Sequence, residues 1–262
     1  MTSINMNHML KSLEGNVRFD GRKLTDLRQP IDVELNVSET AEGSVKLTLG
    51  NTTVLVGVKM ELSTPFPDTP KKGGLMVNAE LIPLSHTDYE PGPPGIKAIE
   101  ISRVIDRALR EGKAVDFEKL CVVEGEKVWN ILVDIIPLND DGNLIDAGAL
   151  AALIAIKNTK LPTVQDDGVV DYKTKTDQGL PLVAEPLPVT VHKIGDHFVV
   201  DVTYEEEQYS SSRLTVAIKG NGCPCAIQKG GDEPLSAEQI SEMVDIAIQK
   251  SKEYREVLNK FS

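Results

Sequence analysis

The chain contains 262 residues, of which 40% are hydrophobic and 26% are charged, as is ordinary for a soluble globular protein. Its 28 basic and 40 acidic residues give a net charge of −12, whereas a protein that binds nucleic acid unaided is usually basic. Any contact with nucleic acid is therefore expected to use a local basic patch, with a partner supplying much of the positive field.

The cysteines indicate the compartment. Three of them, Cys121, Cys223 and Cys225, are an odd number in a long chain, which favours a reducing environment without a disulfide framework. The Cys-Pro-Cys spacing and the scattered histidines do not form a zinc motif, so we expect neither a metal nor another cofactor. No apolar run is long enough to span a membrane, and the amino terminus lacks a signal pattern. The prediction is a cytoplasmic protein.

The first half of the chain predicts a short helix followed by strands. Residues 1–14 have helical spacing of apolar side chains and precede a glycine, so we expect an N-terminal helix before a domain that spans residues 15–262. Alternating and β-branched stretches predict an antiparallel meander and, further on, a hairpin. The meander is predicted at residues 30–37, 45–49 and 52–60, a further strand at 75–82, and the hairpin at 120–123 and 127–137.

The second half adds a buried helix, more strands and a last helix. Residues 144–157 are apolar nearly all round, which predicts a helix buried on most sides. Residues 165–183 are polar and rich in turn formers, and they are expected to be an exposed excursion. Strands are predicted at 187–193, 197–202, 213–219 and 225–229, and Ser236 with Gln239 forms a capping box before the last helix. This order is typical of an α+β fold.

Residues 96–112 predict an amphipathic helix with an unusual polar face. Three arginines at spacings i, i+4 and i+7, Arg103, Arg107 and Arg110, share the face opposite the apolar stripe. The planar, permanently charged guanidinium group suits phosphate binding. Acidic neighbours on the same helix offer a plainer alternative, in which the arginines form ion pairs on a solvated face. These neighbours are Glu100, Asp106 and Glu111.

Two other stretches carry weaker signals. The turn Asp141-Gly142-Asn143 leads into the buried helix, whose free N–H groups would attract an anion, but Asp146 in the first turn would repel phosphate. The acidic run at 201–213 offers oxygen ligands for Mg²⁺, although a charged loop facing water is the simpler interpretation. The sequence has no P-loop, no GxGxxG and no defensible Ser/His/Asp arrangement.

Several stretches together resemble the RNase PH family. They are FDGRKLTDLRQPIDVELN, GSVKLTLGNTTVLVGVKMEL, EPGPPG, ISRVIDRALRE, VWNILVDIIPLNDDGNLIDAGALAALIAI and VVDVTYEEEQYSSSRLTVAI, and they cover nearly the whole chain. EPGPP followed by RVIDRALR is similar to the type of archaeal exosome subunit that pairs with a catalytic RNase PH-like subunit. The resemblance implies a single RNase PH-type domain of the α+β class, with two βαβ-like halves similar to domain 2 of ribosomal protein S5.

The resemblance also implies that the chain lacks catalytic activity of its own. Active members degrade RNA from its 3′ end with phosphate as the attacking group, which they hold with a hydroxyl and an arginine after a glycine. The matching positions here are Asn143 and Leu144, and leucine cannot donate a hydrogen bond to an oxyanion. Two aspartates of active members correspond to Glu207 and Arg213, and arginine places a positive charge where a cation would bind. The alternative is a phosphorolytic 3′–5′ exoribonuclease active in its own right through Glu207 and Asp201.

The resemblance further implies partners. They are a catalytic RNase PH-like subunit, paired with this chain as heterodimers in a six-membered ring, RNA-binding cap subunits, and single-stranded RNA. Arg103 and Arg107 match positions that face the RNA path beside the partner's active site, and Arg110 is added from the helical-face argument alone. Such contacts would go to the RNA backbone and would be sequence-tolerant. A third interpretation is a scaffold that never touches RNA.

Overall fold

The computed structural model describes residues 3–165 and 169–261, which form five α-helices and twelve β-strands. The helices are α1 (Ser3–Glu14), α2 (Ile96–Glu111), α3 (Leu144–Lys157), α4 (Tyr204–Glu207) and α5 (Ala237–Lys260), with a 3₁₀ helix at Phe117–Leu120. The strands are β1 (Ile31–Leu35), β2 (Gly43–Leu49), β3 (Thr52–Ser63), β4 (Gly74–Ala79), β5 (Cys121–Val123), β6 (Lys127–Asn139), β7 (Lys160–Val164), β8 (Val170–Gly179), β9 (Leu187–Ile194), β10 (His197–Val200), β11 (Ser212–Ile218) and β12 (Pro224–Gly231).

The strands form two main sheets, one from each half of the chain. The first follows the order β1-β2-β3-β6-β4, with β5 also paired to β6, and its only parallel pair is β4 with β6. The second follows the order β10-β9-β11-β12 and is antiparallel throughout. The predicted meander is confirmed as β1-β2-β3, and the predicted hairpin is confirmed as β5-β6. The predicted α+β class is therefore correct.

Helix α3 is the centre of the core. It packs against β2 and β3 of the first sheet and against β9 of the second, so it lies between the two sheets. Every residue from Leu144 to Ile156 is buried, as the apolar sequence predicts. Helix α5 covers β9 and β11, and its predicted capping box at Ser236 and Gln239 is present. One continuous apolar cluster joins both sheets through α3, which fixes the relative position of the two halves.

Helix α2 is as amphipathic as its sequence predicts. The five apolar residues of the predicted stripe are all buried, and they pack toward β4, α3 and β12. Their burial removes the apolar face from water and orients the opposite, arginine-bearing face outward. The buried stripe consists of Ile101, Val104, Ile105, Ala108 and Leu109.

One predicted strand is present but ends early, and one strand was not predicted. The predicted strand at 75–82 ends at Ala79, because Ser85 donates a backbone hydrogen bond of 2.9 Å to the Ile82 carbonyl and the chain turns there. The predicted excursion at 165–183 contains β8, which pairs with β7 as a two-stranded ribbon. Valine, tyrosine and threonine alternate with charged residues along β8, but both faces are largely exposed, so a search for apolar alternation misses this strand. Residues 166–168 of that excursion lie outside the described residues.

The segment before β1 is joined to the second half of the chain by buried arginines. Arg18 is 2% exposed, forms an ion pair with Glu206 and donates to the carbonyls of Val200 and Asp201 at 2.8 Å each. Helix α1 packs nearby in a small apolar cluster with the end of the second sheet. Within the described residues, no helix combines the length and apolar character that crossing a membrane requires.

Candidate functional site

A small pocket lies at the amino terminus of α3, in the position where the sequence places the family's phosphate and metal groups. It has a volume of about 270 Å³ and is lined by residues from α2, α3, α4 and β11. The fold brings together all four of the positions that the resemblance matches to the family's site, although they lie up to 70 positions apart in the chain. These are Asn143, Leu144, Glu207 and Arg213.

The turn before α3 is shaped by two left-handed residues. Gly142 has φ +87° and packs so closely on the backbone at Thr203 and Tyr204 that a Cβ would lie within 2.6 Å of it. Asn143 follows with φ 58°, and its side-chain amide donates to Asp201 across 2.8 Å rather than capping the helix. The backbone N–H of Asn143 is one of the groups at the helix start that have no partner within the helix, and it needs an acceptor from elsewhere.

That acceptor is the carboxylate of Glu207. Its Oε1 atom receives the Asn143 N–H across 2.7 Å, and Lys97 Nζ lies 3.7 Å from its Oε2 atom. Burial raises the pKa of Glu207, and the charge of Lys97 and the Asn143 N–H offset part of that rise. A side chain of the protein therefore occupies the helix terminus that would otherwise attract an external anion.

The remaining two positions are held by the core and by an ion pair. Leu144 is buried in the core with 4% exposure. Arg213 forms an ion pair with Glu100 of α2, and the absence of a side chain at Gly230 makes room for its guanidinium group. The pocket is thus lined by two acidic and two basic side chains, whose charges balance each other.

Lys97 is a pocket residue that the sequence reasoning missed. Its ammonium lies 3.2 Å from Asp140 and over the rings of Tyr204 and Tyr89, at 4.8 and 5.4 Å from their centroids. His86 stacks on Tyr204 with 3.9 Å between ring centroids. The members of this cluster come from distant parts of the chain, so no spacing in the sequence signals it. Lys97 is therefore held by carboxylates and aromatic rings of the chain itself.

The carboxylate of Asp201 is buried and held by hydrogen-bond donors of the chain itself. It is 0% exposed, its backbone has φ 51°, and its carboxylate accepts from Arg28 at 2.6 and 2.8 Å as well as from Asn143. Arg22 adds a longer contact of 3.3 Å. These donors occupy both oxygens of the carboxylate, so Asp201 links the two halves of the chain. Within residues 3–165 and 169–261, no three His, Cys, Asp or Glu side chains are grouped to hold a metal ion.

Two further buried groups near the pocket have strongly shifted pKa values. Burial raises the pKa of Asp146 to about 7, although Thr190 donates to it through both its backbone and its hydroxyl. Burial, assisted by the charge of Arg213, lowers the pKa of His192 to about 3. Asp146 points into the protein toward Thr190, so the predicted repulsion of phosphate by its charge is replaced by a structural role.

The arginine face of α2 lines a separate, larger groove. This α2 groove has a volume of about 840 Å³ and runs between α2 and the edge strand β4. It contains all three arginines of the predicted face, and each of them is exposed. Glu100 lines both this groove and the α3 pocket, so the two sites are adjacent along one helix.

The three arginines differ in how they are held. Arg110 forms a two-point ion pair with Asp106, at 2.7 and 3.0 Å, which is one of the pairs that the alternative interpretation expected. Arg107 donates to Gln228 of β12 across 2.9 Å. Arg103 has no hydrogen-bond or ion-pair partner among the described residues, and Glu100, its expected partner, is bound to Arg213 instead. Arg103 and Arg107 are therefore free of carboxylates.

The fold and the pocket define the class of protein. The chain forms two interlocked halves with a buried helix between their sheets and a pocket at the start of that helix. This arrangement agrees with the RNase PH-type domain that the sequence resembles. The model of the 3′ exoribonuclease family, domain 1, matches residues 28–162, and the model of domain 2 matches residues 184–250. The chain belongs to this 3′ exoribonuclease family, also known as the RNase PH family.

Individual relatives extend this likeness over the full length. The chain is 41% identical to a protein named exosome complex component Rrp42 from Methanothermobacter thermautotrophicus, over 93% of this chain and 90% of the relative. It is similar, with a TM-score of 0.90 and 42% identity, to a chain of a structure described as the Archaeoglobus fulgidus exosome with RNA bound to the active site, and the match covers 99% and 98% of the two chains. A chain of a structure described as an archaeal exosome core matches with a TM-score of 0.85 and 39% identity, over 98% and 96% of the chains.

Proposed function

We propose that this chain is a non-catalytic subunit of an exosome ring that degrades RNA in the 3′-to-5′ direction. It pairs with a catalytic RNase PH-like subunit, shapes that subunit's phosphorolytic site and presents arginines to the RNA. The relatives that match over more than nine-tenths of the chain are named as exosome components, which supports this assignment. The free cysteine thiols fit a reducing compartment, and we place the complex in the cytoplasm.

The observation that carries the non-catalytic assignment is the contact between Glu207 and Asn143. A phosphate ion would need the N–H groups at the start of α3, and the Glu207 carboxylate already accepts one of them at 2.7 Å. The positive side chains around it are also committed, Lys97 to carboxylates and Arg213 to Glu100. An attacking phosphate would have to displace an internal anion of the same charge sign, and no arginine is free in the pocket to hold it.

The α2 groove supports the RNA role. Arg103 and Arg107 are one helical turn apart, about 6 Å along the helix axis. Both are exposed, neither is paired with a carboxylate, and the buried apolar stripe of α2 holds the helix in place behind them. Guanidinium groups fixed in this way can contact successive phosphates of a single strand without reading its bases. Arg110 contributes to the same face while it keeps its ion pair with Asp106.

The decisive experiment is reconstitution. The chain is purified alone and also co-purified with a candidate catalytic subunit, the mass of the assembly is measured, and RNA degradation is followed with and without phosphate. We expect nucleoside diphosphates only from the pair and only with phosphate. Phosphate-dependent degradation by the chain alone, abolished by Glu207→Gln, would overturn the proposal in favour of an enzyme active in its own right.

Crosslinking separates the RNA role from a purely structural one. In the assembled ring, we expect photoreactive RNA to crosslink to residues of α2. Failure of any such crosslink in a ring that degrades RNA normally would indicate a scaffold that does not touch the substrate.

A further inference from the structure

A second groove continues the arginine face beyond the end of α2. This loop groove has a volume of about 680 Å³ and lies between the loop at residues 64–74 and the segment that follows α2. Arg110 lines both grooves, so the α2 groove and the loop groove meet at one side chain. An RNA strand that runs along α2 from Arg103 past Arg110 would therefore enter the loop groove directly.

Two lysines give the loop groove its charge. Lys72 and Lys113 both line it and are exposed, and neither ammonium has a hydrogen-bond or ion-pair partner among the residues that the structure describes. The neighbouring Lys71, in contrast, is bound to Glu124 at 3.1 Å. Two unpaired ammonium groups on one groove form a site that attracts phosphate groups.

The acidic residues of the groove do not cancel this charge. Asp116 accepts the backbone N–H of Glu118 and lies 3.6 Å from Lys119, so its carboxylate is already partnered. Glu118 is the other acidic residue that lines the groove. Three basic side chains, Lys72, Arg110 and Lys113, outnumber these two acidic ones, so the groove has a positive balance although the chain as a whole has a net charge of −12.

An aromatic ring stands at the rim of the same groove. Phe66 is 77% exposed, so the face of its ring is open to a ligand. Its loop is nevertheless held in place, because Thr69 donates to the Phe66 carbonyl and Gly73 donates to the Phe117 carbonyl, both at 3.0 Å. A fixed, exposed ring beside unpaired cations is the combination by which proteins bind single-stranded nucleic acid, with a base stacked on the ring and phosphates on the cations.

We propose that the loop groove is a second RNA subsite, in which Lys72 and Lys113 contact phosphates and Phe66 stacks on a base. This inference rests on the proposed function, since it extends the RNA path of the α2 groove. It assigns the path a direction along α2, away from the α3 pocket and toward the loop at residues 64–74. The subsite takes single-stranded RNA of any sequence, because its contacts go to the backbone and to the face of a base.

The test measures RNA affinity of the reconstituted ring, in phosphate-free buffer, as a function of salt concentration. For Lys72→Gln with Lys113→Gln we expect weaker binding of a long oligoadenylate and a decrease of about 1.4 in the salt slope, because each lost phosphate contact on a single strand contributes about 0.7. Phe66→Ala is expected to weaken binding about tenfold without changing the slope, since stacking involves no counterion release. A short oligoadenylate that reaches only the α2 groove should bind all these variants like the unmodified ring.

Three further arms make the result decisive. Lys173→Gln with Lys252→Gln removes the same charge from exposed positions outside both grooves and should leave the slope unchanged. Lys113 has a left-handed φ of 55°, which glycine adopts without strain, so Lys113→Gly should fold at least as well as the unmodified chain. A loss of RNA affinity in this variant therefore cannot be attributed to misfolding. Arg103→Gln with Arg107→Gln tests the proposed function itself.

The possible outcomes are distinguishable. If the arginine variant loses affinity and the lysine variant does not, the loop groove is not an RNA subsite, although the proposed function stands. If neither loses affinity, the proposed function fails as well. If the lysine variant loses a cap subunit from the ring while RNA affinity per ring is unchanged, the groove binds a protein segment and the inference is overturned.

Discussion

The carboxylate of Glu207 accepts a hydrogen bond of 2.7 Å from the backbone N–H of Asn143, at the start of the most deeply buried helix of the protein. The two residues are 64 positions apart, and the contact exists because α4 packs against the turn at Gly142. An internal anion thus stabilises the end of α3, where the partial positive charge of the helix is concentrated. In the proposed function, this contact is the reason why the pocket does not take up phosphate.

We predict that Glu207→Ala lowers the free energy of unfolding by about 1.5–3 kcal/mol, the usual contribution of a hydrogen bond to a charged group. The substitution also exposes the Asn143 N–H to solvent and leaves Lys97 with one carboxylate fewer. Added phosphate should therefore raise the melting temperature of the variant, by binding its native state, but not that of the unmodified chain. Thermal denaturation with and without phosphate measures both effects. Glu205→Ala, at an exposed position of the same short helix, is the matched control and should change neither.

Neutralising the arginine face should affect RNA binding without dissolving the ring. For Arg103→Gln with Arg107→Gln we expect the slope of log affinity against log salt concentration to decrease by about 1.4, because two phosphate contacts on a single strand are lost. Both side chains are exposed and make no ion pair, so the melting temperature should be unchanged. Filter binding over a range of salt concentrations, together with a mass measurement of the ring, checks this. An unchanged slope would remove the arginines from the RNA path.

The buried ion pair between Arg18 and Glu206 should be among the most sensitive positions for stability. Arg18→Ala removes a fully buried guanidinium group and leaves the Glu206 carboxylate buried without its partner, which costs about 3–5 kcal/mol. The double variant Arg18→Met, Glu206→Met should recover much of this loss, because no uncompensated charge remains. Urea denaturation measures the difference. The control is Lys46→Ala, which breaks the ion pair with Glu34 at the surface and should cost less than about 1 kcal/mol. An equal loss of stability in Arg18→Ala and Lys46→Ala would contradict the prediction.

Local periodicity was sufficient for the elements that organise the site. The apolar stripe of Ile101, Ile105 and Leu109 predicted α2 and the outward direction of its arginines, and the apolar run after Leu144 predicted a helix buried on most sides. These predictions succeed because burial of one face or of a whole helix leaves a repeat in the sequence. The resemblance to the RNase PH family then identified which positions would meet in the pocket.

The partners of the charged residues could not be predicted in this way. Nothing near Glu207 indicates that it would accept the N–H of Asn143, and nothing near Arg213 indicates Glu100, because these contacts depend on how distant elements pack. The alternative interpretation of the arginine face was correct only for Arg110, whose partner Asp106 is one turn away on the same helix. Pairs within a helix can be anticipated from spacing, whereas pairs across the fold cannot.

The buried carboxyl group of Asp146 should make stability depend on pH. Burial raises its pKa from 3.8 to about 7 in the folded state, so the native protein retains a proton that the unfolded chain loses once the pH exceeds about 4. The stability that this group contributes is therefore fully present below about pH 4 and is lost as the pH rises to about 7. The loss in the free energy of unfolding is up to about 4 kcal/mol, because each unit of difference in pKa corresponds to about 1.36 kcal/mol. Asp146→Asn removes the titrating group, and comparing its free energy of unfolding with that of the unmodified chain at several pH values cancels the other titrations. As the pH rises across this range, the free energy of unfolding of the unmodified chain should fall relative to that of Asp146→Asn. A difference that is constant with pH would show that Asp146 is charged in the folded protein.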